Sequence, residues 1–347
     1  MTFDSLGGSP PATLPAALAR LDRAHSPAEQ LAHLVQQGLD QLPMPGRGAT
    51  LQRWQALSAV AGHDLSLAKL YEGHTDAIAV MTELAPSAPP VPGATWGMWA
   101  AEAPDGRTVV DVTGPETARL SGAKRWCSGA GQLSHGLLTA WRPDGRGPQL
   151  VRVAMDQPGV RVTSEAWHAV GMAGSASVDV TFNQARGECL GVEAAYLERP
   201  GFWHGGAGIA ACWHGGALTL AGHLQRALQQ APPSSRNVFR LAALGKVGVA
   251  LQASAALLRE TAHWIDDHPG RDASAMALRV RLAAEGSAKL VLDEVGRALG
   301  ATPFCRDAGF ARMAADLPVF LRQSHAERDF AALGEQLMSP GAPSWAL

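Results

Sequence analysis

The stretch Leu120-Ser121-Gly122-Ala123-Lys124-Arg125-Trp126-Cys127-Ser128-Gly129-Ala130 decides how this sequence is read. Glycines near both ends predict tight turns around a short strand. Strand alternation would set the side chains of Trp126 and Ser128 on one face. A broad aromatic plane beside a hydroxyl suits a flat, hydrogen-bonding ligand. A tryptophan buried in a β core is the simpler account of the same residues.

Outward from that stretch, hydropathy alternates with a period of two from about 94 to 191. Val109-Val110-Asp111-Val112, Leu137 to Trp141, Leu150 to Val153 and Val178 to Phe182 are strand candidates. Pro104-Asp105-Gly106 and Pro143-Asp144-Gly145 supply turns. Strands that follow one another without helices indicate an antiparallel barrel or sandwich.

Helical spacing holds on both sides. Ser26-Pro27-Ala28-Glu29 reads as a capping box with proline in the first turn, ahead of a stripe of Leu31, Leu34, Val35, Leu39 and Leu42. Leu51, Trp54, Leu57 and Val60 continue after a break at Met44 to Gly48. Asp64 can cap a third helix carrying Leu67, Leu70, Ile78 and Met81, and the prolines from Pro86 to Pro92 end it. From about 202 onward four long helices are expected, divided at Pro232 to Ser235, at His268-Pro269-Gly270 and at Ala301-Thr302-Pro303, with Pro318 near the start of the fourth. The expected fold class is α+β and multi-domain: an N-terminal helical region over 1–93, a central antiparallel β barrel or sandwich over 94–191, and a C-terminal four-helix bundle over 192–347.

Composition narrows the function. The chain has 347 residues, 46% hydrophobic and 17% charged, with a formal net charge of −2. That is ample for a folded core and lacks the basic footprint of a nucleic-acid binder. Cys127, Cys189, Cys212 and Cys305 are scattered, which argues against a zinc knuckle or a disulfide scaffold. No leader-like start is evident, and apolar runs are interrupted before the ~20 residues a membrane span needs, so a cytoplasmic protein without a membrane span is expected.

Other motifs carry little. Gly206-Ala207-Gly208-Ile209-Ala210-Ala211 fits a loose dinucleotide fingerprint, but no apolar strand precedes it and no acid follows at about 20 residues. Small residues that let helices approach closely account for it better. His204, His214, His263 and His268 read as polar or capping histidines, no metal site is expected, and no serine sits in a nucleophile elbow.

The 120–130 stretch resembles the L-x-G-x-K-x-W-[IC]-[TS]-x-G motif of the acyl-CoA dehydrogenase family. Trp167 to Ser177, followed by Val178 to Phe182, resembles that family's G-M-R-G-S-x-S turn and next strand, with Ala173 in place of its arginine. Arg236-Asn237-Val238-Phe239 resembles its R-x-x-F, and Ala298 to Phe304 its glycine-rich Q-x-x-G-G-x-G-Y turn, of which Gly300 alone survives. The order of helical region, β domain and helical bundle is also similar, and the likeness covers most of the chain.

The resemblance implies FAD as cofactor and a homodimer or homotetramer. It places Trp126 beside the isoalloxazine, Ser128 at its N5, and the backbone around Ala100, Ala101 and Glu102 at its pyrimidine end. Arg236, with Phe239, would serve the flavin of a neighbouring subunit, and Gly300 is a further cofactor-binding candidate. Acyl-CoA or a related acyl substrate is the implied partner, oxidised at a CH–CH bond after a carboxylate removes the α-proton. Here the usual glutamate position falls on Ser324 or Gln323, and no Asp or Glu lies between Glu198 and Glu260. His325 and Glu327 are the candidate replacements. Three readings follow: a dehydrogenase-like FAD oxidoreductase with its base relocated; a reduced-flavin monooxygenase of the same fold; and a non-catalytic flavin-binding or scaffold homologue.

Overall fold

The structure is a computed structural model that describes residues 13–22, 24–114, 116–143, 145, 147–163, 167–232 and 237–339. Arg236, the 233–235 stretch and Asp144 lie outside the described residues. Among the described residues the chain forms two compact units, one from 13–44 and 66–202, the other from 45–65 and 203–339.

The first unit begins with α1 (Thr13–Arg20) and α2 (Pro27–Gln36). The capping box is formed: Ser26 Oγ accepts the Glu29 N–H at 3.3 Å, and Glu29 Oε2 accepts the Ser26 N–H at 2.7 Å. This satisfies two otherwise orphaned donors of the first turn. Helix α4 (Leu65–Leu84) then leads to seven strands: β1 (Trp96–Trp99), β2 (Thr108–Val112), β3 (Thr117–Cys127), β4 (His135–Trp141), β5 (Pro148–Ala154), β6 (Val160–Thr163) and β7 (Val178–Leu190). A short helix, α5 (Ala195–Glu198), follows.

Strands β4, β2, β3, β7 and β5 pair in that order, and β5 returns to β4, so the sheet closes on itself. Closure pairs the five ring strands on both sides, while β1 and β6 each pair on one side only. The pairing is not wholly antiparallel as expected: β1 and β2 each run parallel to β4. The β2–β3 hairpin intervenes between β1 and β4, so the chain returns to β4 from the same end. Val110, Leu120, Leu138, Val151, Val180 and Trp99 fill the barrel interior. On the outer face Ala77, Val80 and Met81 of α4 pack over Trp96, Leu137, Leu150 and Leu190.

The second unit contains α3 (Thr50–His63), α6 (Gly201–Gln230) from Trp203 on, α7 (Asn237–Asp267) and α8 (Ser274–Leu299). Short helices α9 (Ala301–Arg306), α10 (Ala308–Phe320) and α11 (Glu327–Leu337) complete it. The expected fourth long helix is therefore broken. Pro318 lies in the last turn of α10, a 3-10 turn covers Leu321–Gln323, and Ser324 is extended. At the end of α8 the break comes at Gly300, whose φ of +68° suits a glycine, and α9 starts at once with Pro303 in its first turn.

The Gly206 to Ala211 run lies within α6, where no phosphate-binding turn exists. Gly215, further along, touches the backbone of α3 so closely that a Cβ would collide with the Ser58 carbonyl. Helix α7 is long and apolar enough to cross a bilayer by length and composition alone, against the sequence expectation. It runs along α8, where Lys246 pairs with Glu294 at 2.7 Å, and it exposes Val238, Phe239, Leu241 and Val249.

Candidate functional site

The end of β3 is built from its buried side outward. Lys124, 1% exposed, donates from Nζ to Glu102 Oε1 at 2.8 Å, to the Thr139 carbonyl at 3.0 Å and to Thr139 Oγ1 at 2.8 Å. Burial lowers the lysine's affinity for its proton, and the Glu102 hydrogen bond only partly offsets that. Burial alone would raise the Glu102 carboxyl, but hydrogen bonds from Lys124, Thr139 and Trp141 carry it below its ordinary value. Arg125 faces outward to Asp179 and Asp105.

Between Lys124 and Cys127 the register against β7 slips, because three steps along β3 oppose two along β7, from Val180 to Val178. Trp126 is the residue at the bulge, with φ of +56°. The strand ends at Cys127, and Ser128 stands in the turn beyond it. The indole is not buried in a β core; Trp126 is 53% exposed. A bulky residue in the left-handed region costs on the order of 1–3 kcal/mol, a strain that gathers at functional sites.

Ser128 follows in the turn, held by Trp99 Nε1 donating to its carbonyl at 3.2 Å. Gly129 N–H donates to the Ser175 carbonyl at 2.8 Å and brings the Met172 to Ser177 turn alongside. Ser128 Oγ lies 2.7 Å from Ser177 Oγ, and Ser177 Oγ lies 3.0 Å from Ser175 Oγ. Ser175 Oγ donates to the Met172 carbonyl at 2.8 Å. A half-exposed aromatic plane next to an ordered hydroxyl fits one face of a flavin ring.

The other candidate residues lie as follows. Ala101 is exposed in the loop after β1, beside Glu102. Phe239 is 77% exposed in the first turn of α7, and Gly300 terminates α8. His325 Nδ1 lies 3.4 Å from Asp329 Oδ1, and Asp329 Oδ2 accepts the His325 backbone N–H at 3.1 Å. Glu327 is exposed at the first turn of α11, where a carboxylate favours the helix start. Helix α6 carries no acidic residue, and its His214 is 3% exposed with its pKa pushed down to about 4 by burial and by Arg259. Among the described residues no three His, Cys, Asp or Glu side chains form a metal-holding group.

Three relationships escape a linear reading. The Lys124–Glu102 pair and the serine chain join segments distant in sequence. The spacing of four between His325 and Asp329 at a helix start was the one available signal.

No family model matches the sequence, and no curated protein matches it. Solved structures do. Dibenzothiophene monooxygenase TdsC from Paenibacillus sp. A11-2, solved with FMN and indole, aligns with a TM-score of 0.78 at 17% identity over 96% of each chain. KijD3, in complex with FMN and dTDP-3-amino-2,3,6-trideoxy-4-keto-3-methyl-D-glucose, aligns at 0.75 and 18% over 95% of this chain and 93% of that one. Butyryl-CoA dehydrogenase from Megasphaera elsdenii aligns at 0.79 and 16% over 94% of each. The chain has the acyl-CoA dehydrogenase fold. A fold shared by a dehydrogenase and a monooxygenase does not choose between their chemistries.

Proposed function

We propose that the protein is a flavin-dependent oxidoreductase of the oxygen-using kind, which takes reduced flavin and oxygenates a small organic substrate. The observation that carries this reading is at the expected catalytic-base positions. Helix α6 holds no acid, and the C-terminal position holds Ser324, followed by a histidine set against a carboxylate. The His325 side chain is 64% exposed, a watery setting that suits proton exchange with a substrate or with solvent rather than removal of a carbon-bound α-proton in a dry pocket.

Trp126 and Ser128 would hold the flavin, with the backbone at Ala100, Ala101 and Glu102; the resemblance adds Gly300, and Arg236 and Phe239 from a second copy. Reduced flavin would supply two electrons, so that one atom of dioxygen enters the substrate and the other leaves as water. The Lys124–Glu102 pair holds the bulge that presents Trp126 outward. Asp329 stands 3.4 Å from His325 Nδ1, so the other ring nitrogen, Nε2, is the one turned to a substrate in this reading. The FMN complexes of TdsC and KijD3 support this reading, and indole, bound in one TdsC structure, is a reasonable first probe.

The test is flavin uptake, followed by two assays on the loaded protein. Reduced flavin, air and indole should yield an oxygenated indole. Anaerobic acyl-CoA of any chain length should leave oxidised flavin unbleached. Bleaching by acyl-CoA would instead establish the dehydrogenase-like activity with FAD. A protein that takes up neither FMN nor FAD would be the scaffold homologue.

A further inference from the structure

We propose that Ser175 and Ser177 lock the Ser128 hydroxyl as a hydrogen-bond acceptor, so that the site favours reduced over oxidised flavin. The inference rests on the flavin reading above and concerns positioning residues, which act on the ligand through Ser128.

The argument follows the hydrogens. The chain ends at the Met172 carbonyl, which accepts from the Ser175 hydroxyl at 2.8 Å and from Trp167 Nε1 at 3.1 Å. A carbonyl has no hydrogen to give, and turning the Ser175 hydroxyl away would set lone pairs of two oxygens against each other at that distance. Ser175 therefore spends its only hydroxyl hydrogen on Met172. Ser177, 3.0 Å away, must donate to Ser175, which spends its own. Ser128, 2.7 Å from Ser177, must then donate to Ser177. Each serine has one hydrogen, so the direction set at the carbonyl propagates to the end of the chain.

Burial makes the order binding. Ser175 is 1% exposed, Ser177 7% and Ser128 8%, so solvent supplies no alternative partners for the inner hydroxyls. The segment is also rigid in outline: Met172 and Ala176 both have positive φ, and Gly129 N–H ties it to the Ser128 turn. At the other end of the chain, two residues from the exposed Trp126, Ser128 retains only lone pairs for a ligand. The N5 of an oxidised isoalloxazine is likewise a bare lone pair. In the reduced ring the same atom carries a hydrogen. Only the reduced form offers the donor that Ser128 requires.

The experiment compares anaerobic dissociation constants for oxidised and dithionite-reduced FMN and FAD, measured by ultrafiltration, in the wild type and three variants. The wild type should bind reduced flavin more tightly. Ser177→Ala frees the Ser128 hydroxyl to rotate and donate, so the reduced-to-oxidised preference should fall about tenfold, or ~30 mV in the two-electron midpoint potential of the bound flavin. Ser177→Thr keeps the relay and should keep the preference. Ser175→Ala removes the anchor but leaves the Ser128–Ser177 pair, and should also lower it, which covers the case of a Ser177→Ala protein that does not fold. A wild type that prefers oxidised flavin, or a preference unchanged in both alanine variants, would overturn the relay while leaving flavin binding intact. No binding in either redox state would overturn the flavin reading and this inference with it.

Discussion

Lys124 and Glu102 meet at 2.8 Å, with the lysine 1% exposed and the carboxylate at 41%. The pair joins the loop after β1 to the strand that carries the bulge, two residues before Trp126. Removing the lysine takes away one of three donors to Glu102 and the Nζ donor to Thr139, and opens a void. Lys124→Ala should cost about 3 kcal/mol in urea unfolding, and Lys124→Met less, because Glu102 can turn to water. The sign of the pH effect follows from Glu102, whose carboxyl is held below its ordinary value. Its contribution is present above the unfolded carboxylate pKa of about 4.3 and is lost as pH falls through the lower folded value. Glu102→Gln should therefore flatten part of the acid limb.

Histidine 214 gives a second pH dependence at a higher pH. Burial first, and Arg259 second, bring its folded pKa from 6.5 to about 4. The unfolded chain takes up a proton that the folded chain refuses. Stability is complete above about pH 6.5 and falls as pH drops toward 4, by on the order of 3 kcal/mol. Urea titrations at pH 7.5, 6, 5 and 4 should show this slope in the wild type, and His214→Leu should lose it.

Two glycines of α6 should respond in opposite directions. A Cβ at Gly215 meets the Ser58 backbone, whereas one at Gly206 meets nothing within 4 Å. Gly215→Ala should destabilise by about 1–3 kcal/mol through forced separation of α3 and α6. Gly206→Ala should stabilise by ~0.5–1 kcal/mol, since alanine loses less entropy in a helix. Thermal melts of the two variants make the comparison directly.

At Trp126 stability and binding should part company. Its φ of +56° is native to glycine, and the side chain is half out in solvent. Trp126→Gly should melt no lower than the wild type. Its flavin content after reconstitution, read from the visible spectrum, should fall because the stacking surface is gone. Unchanged flavin content would place the ring elsewhere.

Much of the architecture is legible in the linear chain. The capping box at Ser26 is local chemistry, complete within four residues, and it forms as written. The two-residue period between Val109 and Phe182 marks strands because apolar side chains must alternate to fill one interior. The bulge at Trp126 is not legible, because its register is decided by Val178 and Val180 on a partner strand. The break before Ser324 is half legible: Pro318 signals an interruption, but only the 3-10 turn and Ala326, at φ +48°, show where the chain turns.

The sequence by itself determined the helical, β and helical order, the residues of the Lys124 to Ser128 segment, and the missing carboxylate on α6. Those depend on spacing and residue type, which chain order contains. Only the tertiary structure decided that Trp126 faces outward, that Lys124 pairs with Glu102, and that three serines form one hydrogen-bonded chain ending at Met172. Each of these is a contact between segments far apart in the chain. Hydrogen-bond direction and burial exist only once folding has excluded water and brought the partners within 3 Å or so.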